Sequence, residues 1–309
     1  MKNMAKKSLS MMLAAVIILL SLSFATSAAD TSYKPYDDSR YFEYGDYAVH
    51  YRISPAKGEY KGRILMIHGF MCSTYSWRNM AALLSEAGYE CVMADLPDFG
   101  YSTRETKDMT IIPREKLMIE LMNSIAPGEQ WIIAGHSMGG GVAVNIAEQI
   151  KAKALLLYCP CPQNEFPESV KGLVQSSFME GLMNGFFKYG TKITPFVKLV
   201  IYMATNNFKF AMNYDVEGVT GPVQYDGFGA GICEMMYNVL PTDLENTGKI
   251  TCPVLLCNGT NDIILNDSQK GAMLAAFPDA ETHTLDKAGH QCIEDRADEL
   301  CGITLEFLK

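Results

Sequence analysis

The period of apolar and polar positions changes several times along the chain, and the changes mark out its elements. Over 41–53 the two alternate around Gly45-Asp46, the period-2 pattern of an antiparallel hairpin. Arg63-Ile64-Leu65-Met66-Ile67 is nearly all apolar, as a strand buried on both faces must be. The spacing predicts a helix over 77–87, stopped by Gly88, and a buried strand over 89–94. A helix over 113–125 follows, with proline near its start and Pro127-Gly128 beyond its end. Next come a strand at 131–134, a helix at 142–150 and a strand at 154–158. Near the end the pattern gives a strand at 254–257, a helix at 268–277, a strand at 281–285 and a final helix at 293–308.

Strands alternating with helices predict an α/β fold, a mostly parallel central sheet flanked by helices on both faces. Ligands bind such sheets beyond the carboxyl ends of the strands. His68, Asp95, Ser137, Asp262 and His290 all fall just after predicted strands, so the topology collects them on one edge. The alternation breaks over 162–244, which has helix-like apolar runs at 170–187 and 196–203 and a Gly-rich stretch at 218–231. This reads as an inserted helical cap between two parts of one core, 30–161 and 245–309.

The first 29 residues are set apart. Lys2, Lys6 and Lys7 precede an apolar run and then small residues through Ala29, the pattern of a secretory signal. The run is shorter than the roughly 20 residues of a membrane span. Secretion, or residence in the cell envelope or periplasm, is the expectation, with an uncleaved signal anchor as the alternative. No later run is long enough to span a bilayer, so no stable span is expected after cleavage. Cleavage would remove three lysines and no acid, taking the formal charge from −9 to about −12. Such a balance argues against nucleic acid or an anionic membrane as the main partner.

Nine cysteines follow the signal. Cys159 and Cys161 stand two residues apart at a strand end, with side chains side by side roughly 6.6 Å apart, and Cys292 and Cys301 stand roughly 13 Å apart along a helix. Neither pair meets disulfide geometry. No zinc-type spacing occurs, and mostly buried, reduced thiols are expected.

The chemistry centres on Gly135-His136-Ser137-Met138-Gly139. G-x-S-x-G between a strand and a helix is a sharp turn that exposes the serine hydroxyl at the top of a sheet, with a helix N-terminus behind it. Serine needs a base, and the base needs an orienting acid. Of the five histidines, His290 lies in a loop after the last strand and can swing over the strand ends. His50 and His283 lie in strands, His68 in a loop, and His136 adjoins the serine but should point away from its hydroxyl. Asp262 follows a buried strand and precedes His290; Asp95 is its main rival, with Asp286 and Glu165 behind. The backbone N–H groups of Met138 and Phe70 are the candidate oxyanion donors.

On these residues the chain resembles the α/β-hydrolase superfamily, of the serine-nucleophile, esterase- or lipase-like type with a helical cap. The resemblance rests on His68-Gly69-Phe70, the stretch from Asp95 to Ser102, Gly135-His136-Ser137-Met138-Gly139-Gly140, Gly259-Thr260-Asn261-Asp262 and Gly289-His290, in the family's order. It implies an α/β-hydrolase fold and hydrolysis of a small-molecule carboxylic ester through an acyl-enzyme. The roles implied are nucleophile for Ser137, base for His290 and orienter for Asp262, with neither cofactor nor metal. Serine at the elbow counts against relatives that use aspartate there. Amide, thioester or carbon–carbon cleavage, N-terminal proline removal, peracid formation and a non-catalytic binding role stay open. Asp98 stands where relatives often have glycine, from which only a local turn adjustment is expected. The insertion is rich in aromatics and methionine, including Phe178, Phe186, Phe187, Phe196, Tyr202 and Met203. These would line an apolar pocket or pack the helices together.

Overall fold

The computed structural model describes residues 29–309. The expected signal segment lies outside the described residues except for Ala29. One eight-stranded sheet organises the rest, in the order β1-β2-β4-β3-β5-β6-β7-β8. The strands are β1 (Arg40–Tyr44), β2 (Tyr47–Ser54), β3 (Gly62–Ile67), β4 (Tyr89–Ala94), β5 (Ile132–His136), β6 (Ala154–Tyr158), β7 (Val254–Gly259) and β8 (Glu281–Leu285). β2 runs antiparallel to both β1 and β4, and every other pairing is parallel. The α/β fold expected from the sequence is the fold observed.

The central strands are mostly apolar because both faces are covered. In β3, Leu65 and Ile67 point into one core with Leu117 and Leu121. Ile64 and Met66 point into the other with Trp77, Met80 and Leu84. The helices on the two faces are α1 (Arg78–Glu86), α2 (Arg114–Ile125), α3 (Met138–Ala147) and later α10 (Asp267–Ala276), α11 (Cys292–Asp295) and α12 (Ala297–Phe307). β3, β5, β6 and β7 pair in register, Ile67 opposite Gly135, His136 opposite Tyr158, Tyr158 opposite Cys257. The residues that follow them therefore emerge along one edge.

Three boundaries differ from the sequence pattern, each for a physical reason. α3 starts at Met138 rather than 142, through Gly139, Gly140 and Gly141. Glycine is a poor helix former, but close packing at the turn requires it there. The final helix is two pieces, interrupted at Arg296 in a non-helical conformation. The Gly-rich stretch is helical, as described next.

Between β6 and β7 the chain forms α4 (Glu168–Val174), α5 (Ser177–Gly185), α6 (Thr194–Thr205), α7 (Phe208–Met212), α8 (Glu217–Gln224) and α9 (Phe228–Asn238). A π-helical turn, Phe186–Gly190, extends α5. α9 packs on α5 so closely that a β-carbon on Gly229 would stand 2.3 Å from the Asn184 nitrogen. Gly229, in the Gly-rich stretch, serves helix contact.

Candidate active site

The chain leaves β5 at His136 and enters α3 at Met138, so Ser137 alone makes the turn. Its backbone sits at φ 52°, ψ −122°, a region that L-residues with side chains seldom adopt. The surroundings hold it there. Ser137 donates to the Tyr158 carbonyl at 3.1 Å, and its own carbonyl accepts from Gly140 at 2.8 Å and Cys161 at 2.9 Å. A β-carbon on Gly135 would fall 2.3 Å from the Gly139 carbonyl oxygen, and one on Gly139 would fall 2.3 Å from that of Ile67. Strand, turn and helix cross with no room for side chains.

Asp262 follows β7, and His290 lies between β8 and α11. Ser137 Oγ is 2.8 Å from His290 Nε2, and His290 Nδ1 is 2.8 Å from Asp262 Oδ2. The other carboxylate oxygen of Asp262 accepts from the N–H groups of Ile264 at 2.8 Å and Leu265 at 3.1 Å. Burial pushes the Asp262 carboxyl up, but the hydrogen bond and charge of His290, with those two N–H groups, more than offset it. The net effect holds Asp262 below the usual carboxylate range, and so ionised. An ionised acceptor fixes the proton on His290 Nδ1 and leaves Nε2 to receive one from serine. All three residues are buried.

His136 does not reach the Ser137 hydroxyl, as expected, yet it is no bystander. Its Nε2 donates to the backbone carbonyl of His290 at 2.9 Å, and the two rings lie 5.0 Å apart. Burial, then the neighbouring His290, push its pKa down to about 3. His68 holds the loop on the other side of the serine. Its Nδ1 donates to the Gly69 carbonyl at 2.7 Å and its Nε2 accepts from Leu96 N–H at 3.0 Å. Gly69 abuts Ser137, since a β-carbon there would stand 3.0 Å from Ser137 Cβ and 2.9 Å from His136 Nδ1. Phe70 follows Gly69. Met138 is the first residue of α3, where a backbone N–H has no acceptor within its own helix.

The rival residues have other partners. Asp95 is wholly buried and accepts from Thr74 N–H at 2.6 Å, Tyr101 N–H at 3.0 Å and His50 Nδ1 at 2.7 Å. His50 Nε2 in turn lies 2.8 Å from Ser39 Oγ. The chain thus holds a second Ser–His–Asp relay with nearly the same distances. It lacks the rest of an acyl-transfer site: Ser39 Oγ already accepts from Tyr36 N–H at 3.1 Å, and no helix starts behind it. The rings of Tyr36, Tyr41 and Tyr101 crowd His50. This relay pins the N-terminal segment to the sheet. Asp286 and Glu165 are exposed beside Lys287 and Lys171, and His283 pairs with Glu281 on the surface.

All nine cysteines are free thiols. Cys159, at φ 42° just past β6, lies with Asp262 and His290 inside a sphere of metal-ligand size, their donor atoms within 4.8 Å of one another. Both nitrogens of His290 and both oxygens of Asp262 are already engaged, so this donor set fits the relay rather than an ion. Cys159 Sγ lies 3.5 Å from Cys292 Sγ. No sequence spacing relates these two residues, and only the fold brings them together.

Asp98 does more than adjust a turn. Buried at φ 72°, it accepts from Glu105 N–H at 2.7 Å and Arg114 Nη2 at 2.9 Å. Burial and the neighbouring Glu105 raise its carboxyl well above the usual range. Arg104 lies beside it, donating to the carbonyls of Phe99, Gly100 and Ser102 and across to Pro222 of α8. Gly231 of α9 closes over Asp98, where a β-carbon would stand 2.9 Å from Oδ1. The network joins the insertion to the core. The insertion's aromatics divide: Phe187 is buried against Phe228, while Phe178, Phe186, Phe196, Tyr202 and Met203 are exposed. Those five neither line a closed pocket nor fill a core.

A family profile described as alpha/beta hydrolase fold matches residues 62–297. The chain belongs to the alpha/beta hydrolase family. The chain is similar to an uncharacterized hydrolase of Bacillus subtilis (strain 168), 25% identical over 265 residues, covering 80% of this chain and 89% of the relative. It is similar also to a monoacylglycerol lipase of Bos taurus, 22% identical over 280 residues, covering 87% of this chain and 81% of the lipase. Among solved structures, a thermophilic esterase from Thermogutta terrifontis matches with a TM-score of 0.64 at 18% identity, over 84% of this chain and 93% of the esterase.

Proposed function

We propose that this α/β-hydrolase is an exported serine hydrolase that cleaves a carboxylic ester through an acyl-enzyme. The observation that carries the reading is the relay Ser137–His290–Asp262, two links of 2.8 Å each, built on a strained elbow at the N-terminus of α3. Ser137 Oγ attacks the ester carbonyl carbon as its proton passes to His290 Nε2. The N–H groups of Phe70 and Met138 stabilise the oxyanion, and the helix N-terminus adds its partial positive charge. The leaving alkoxide takes the proton from His290, and the ester acyl group stays on Ser137. Water, deprotonated by His290, then attacks the acyl carbon and frees the acid and the serine.

Asp262 supports each step by stabilising the imidazolium. His136 and His68 act as positioning residues, one on the His290 carbonyl and the other on the oxyanion loop. The helices between β6 and β7 act as a cap over the strand ends. The esterases and lipases among the relatives are consistent with an ester substrate, and the N-terminal lysines and apolar run with export.

Hydrolysis of p-nitrophenyl esters across acyl lengths, in wild type and Ser137→Ala, tests the reading. Turnover that disappears in Ser137→Ala supports it. Retained turnover in that variant would sink the assignment of the nucleophile.

A further inference from the structure

α6 carries apolar residues on both its inner and its outer side, with Lys198 its one charged residue. Val197 and Ile201 pack inward on Ala211 and Tyr214, while Phe196, Leu199 and Met203 face outward. Tyr189 and Ile193 before it, and Phe208 after it, are 62%, 58% and 65% exposed and extend the same apolar surface. An exposed apolar surface of this extent marks an interaction site.

The charges of the stretch are as distinctive. Residues 186–212 carry Lys188, Lys192, Lys198 and Lys209 and no aspartate or glutamate, in a chain of formal charge −9. The insertion's other lysine, Lys171, pairs with Glu165 and Glu168; among the described residues none of these four lysines has such a pair, and Lys198 donates to the Met212 carbonyl. A second copy of the same face would bring like charges together across a two-fold axis, which disfavours it as the occupant. An apolar interior rimmed by negative charge suits both features: apolar side chains enter it, and lysines lay their stems along it with their ammonium groups outward. No helix among the described residues is long and apolar enough to cross a membrane, so the fit is to a surface.

We infer that the outer face of α6, with the residues flanking it, docks on an anionic lipid bilayer. The overall negative charge speaks against an anionic membrane only when averaged over the chain; residues 186–212 by themselves carry four lysines and no acid. The same helix touches the catalytic loop. The carbonyls of Ala204 and Thr205, at its end, accept from Gln291 N–H at 2.9 Å and Gly289 N–H at 3.1 Å, one on each side of His290. Docking therefore occurs two hydrogen bonds away from the proposed base. In the ester-hydrolase reading it would set the site at the interface where lipophilic esters reside; the docking itself does not depend on that reading.

Co-sedimentation with vesicles tests it without substrate. Wild type, Leu199→Glu/Met203→Glu and Lys188→Gln/Lys192→Gln, all in the same chain, are compared on phosphatidylcholine vesicles and on vesicles one-third phosphatidylglycerol. The N-terminal apolar run is common to all three, so the reading is the difference between them. Wild type is expected to partition more strongly onto the anionic vesicles, and less as salt rises. The lysine variant should lose about 30-fold on anionic vesicles and little on neutral ones. The glutamate variant should lose at least about ten-fold on both while still hydrolysing a soluble ester. Partitioning unchanged by either double substitution would overturn the proposal. So would a wild-type dimer in solution that the glutamate variant converts to monomer, which would assign the face to a second copy.

Discussion

The imidazole of His136 reaches past the serine that follows it and donates to the backbone carbonyl of His290 at 2.9 Å. The elbow and the loop carrying the proposed base are thereby joined directly, without passing through the reacting groups. Removing the donor leaves a buried carbonyl without it and frees the His290 loop to drift. His136→Phe should lower kcat about five-fold with KM nearly unchanged, since a lost buried hydrogen bond is worth about 1 kcal/mol. Steady-state kinetics on a soluble ester checks this. An unchanged kcat would remove His136 from the positioning role.

The same residue makes stability depend on pH. The His136 pKa falls from an ordinary 6.5 to about 3, because burial and then His290 disfavour the cation. The unfolded chain protonates this histidine below about pH 6.5, while the folded one resists until about pH 3. Its effect is absent above pH 6.5 and becomes a growing penalty on the folded state as pH falls through that window. Asp262 acts in the same direction but in a lower window: its lowered pKa adds stability above an ordinary 3.8 that is lost only as pH falls below it. Between pH 6.5 and 4 the wild-type Tm should therefore fall more steeply than that of His136→Phe. His68, also pushed down by burial, is common to both proteins and cancels. Parallel Tm curves would contradict the account.

Asp262→Asn keeps an oxygen for the Ile264 and Leu265 N–H groups but loses the charge that fixes the His290 tautomer. The expected result is a fall in kcat of about a thousand-fold or more, with a Tm close to wild type. A drop of only a few-fold would reassign the orienting acid.

Asp98→Gly separates backbone strain from ionic contacts. Glycine relieves the positive φ of 72° but leaves Arg114 buried without its 2.9 Å partner. The ionic loss outweighs the strain, and denaturant unfolding should show destabilisation of about 3 kcal/mol. A neutral or stabilising effect would mean that only turn geometry matters there.

The sheet was legible because strands buried on both faces must be mostly apolar, and β3, β4, β5 and β6 are, with Arg63 and Glu90 paired where β3 and β4 begin. The relay was legible because its three members each follow a strand, and a parallel sheet brings such residues to one edge. Tertiary packing hid the rest. α8 and α9 carry the glycines of a loop, because Gly229 and Gly231 meet other backbone and side chains too closely for a β-carbon. α6 was legible as the helix-like apolar run at 196–203, but the exposure of its outer apolar side was not. Asp98 looks like a turn residue until Arg114, from a separate helix, reaches it. The second relay joins Ser39, His50 and Asp95 across strands with no motif to signal it.

That second relay makes the decisive measurement a chemical one. Two serines lie 2.8 Å from a histidine nitrogen, Ser137 at the elbow and Ser39 beneath the tyrosines. Labelling with a fluorophosphonate, followed by peptide mass mapping, asks which of them is a nucleophile. The account predicts one adduct, on Ser137, formed with loss of ester turnover and absent from Ser137→Ala. No adduct on Ser137 under conditions that leave the protein folded, or an adduct on Ser39 that tracks the loss of turnover, would contradict it.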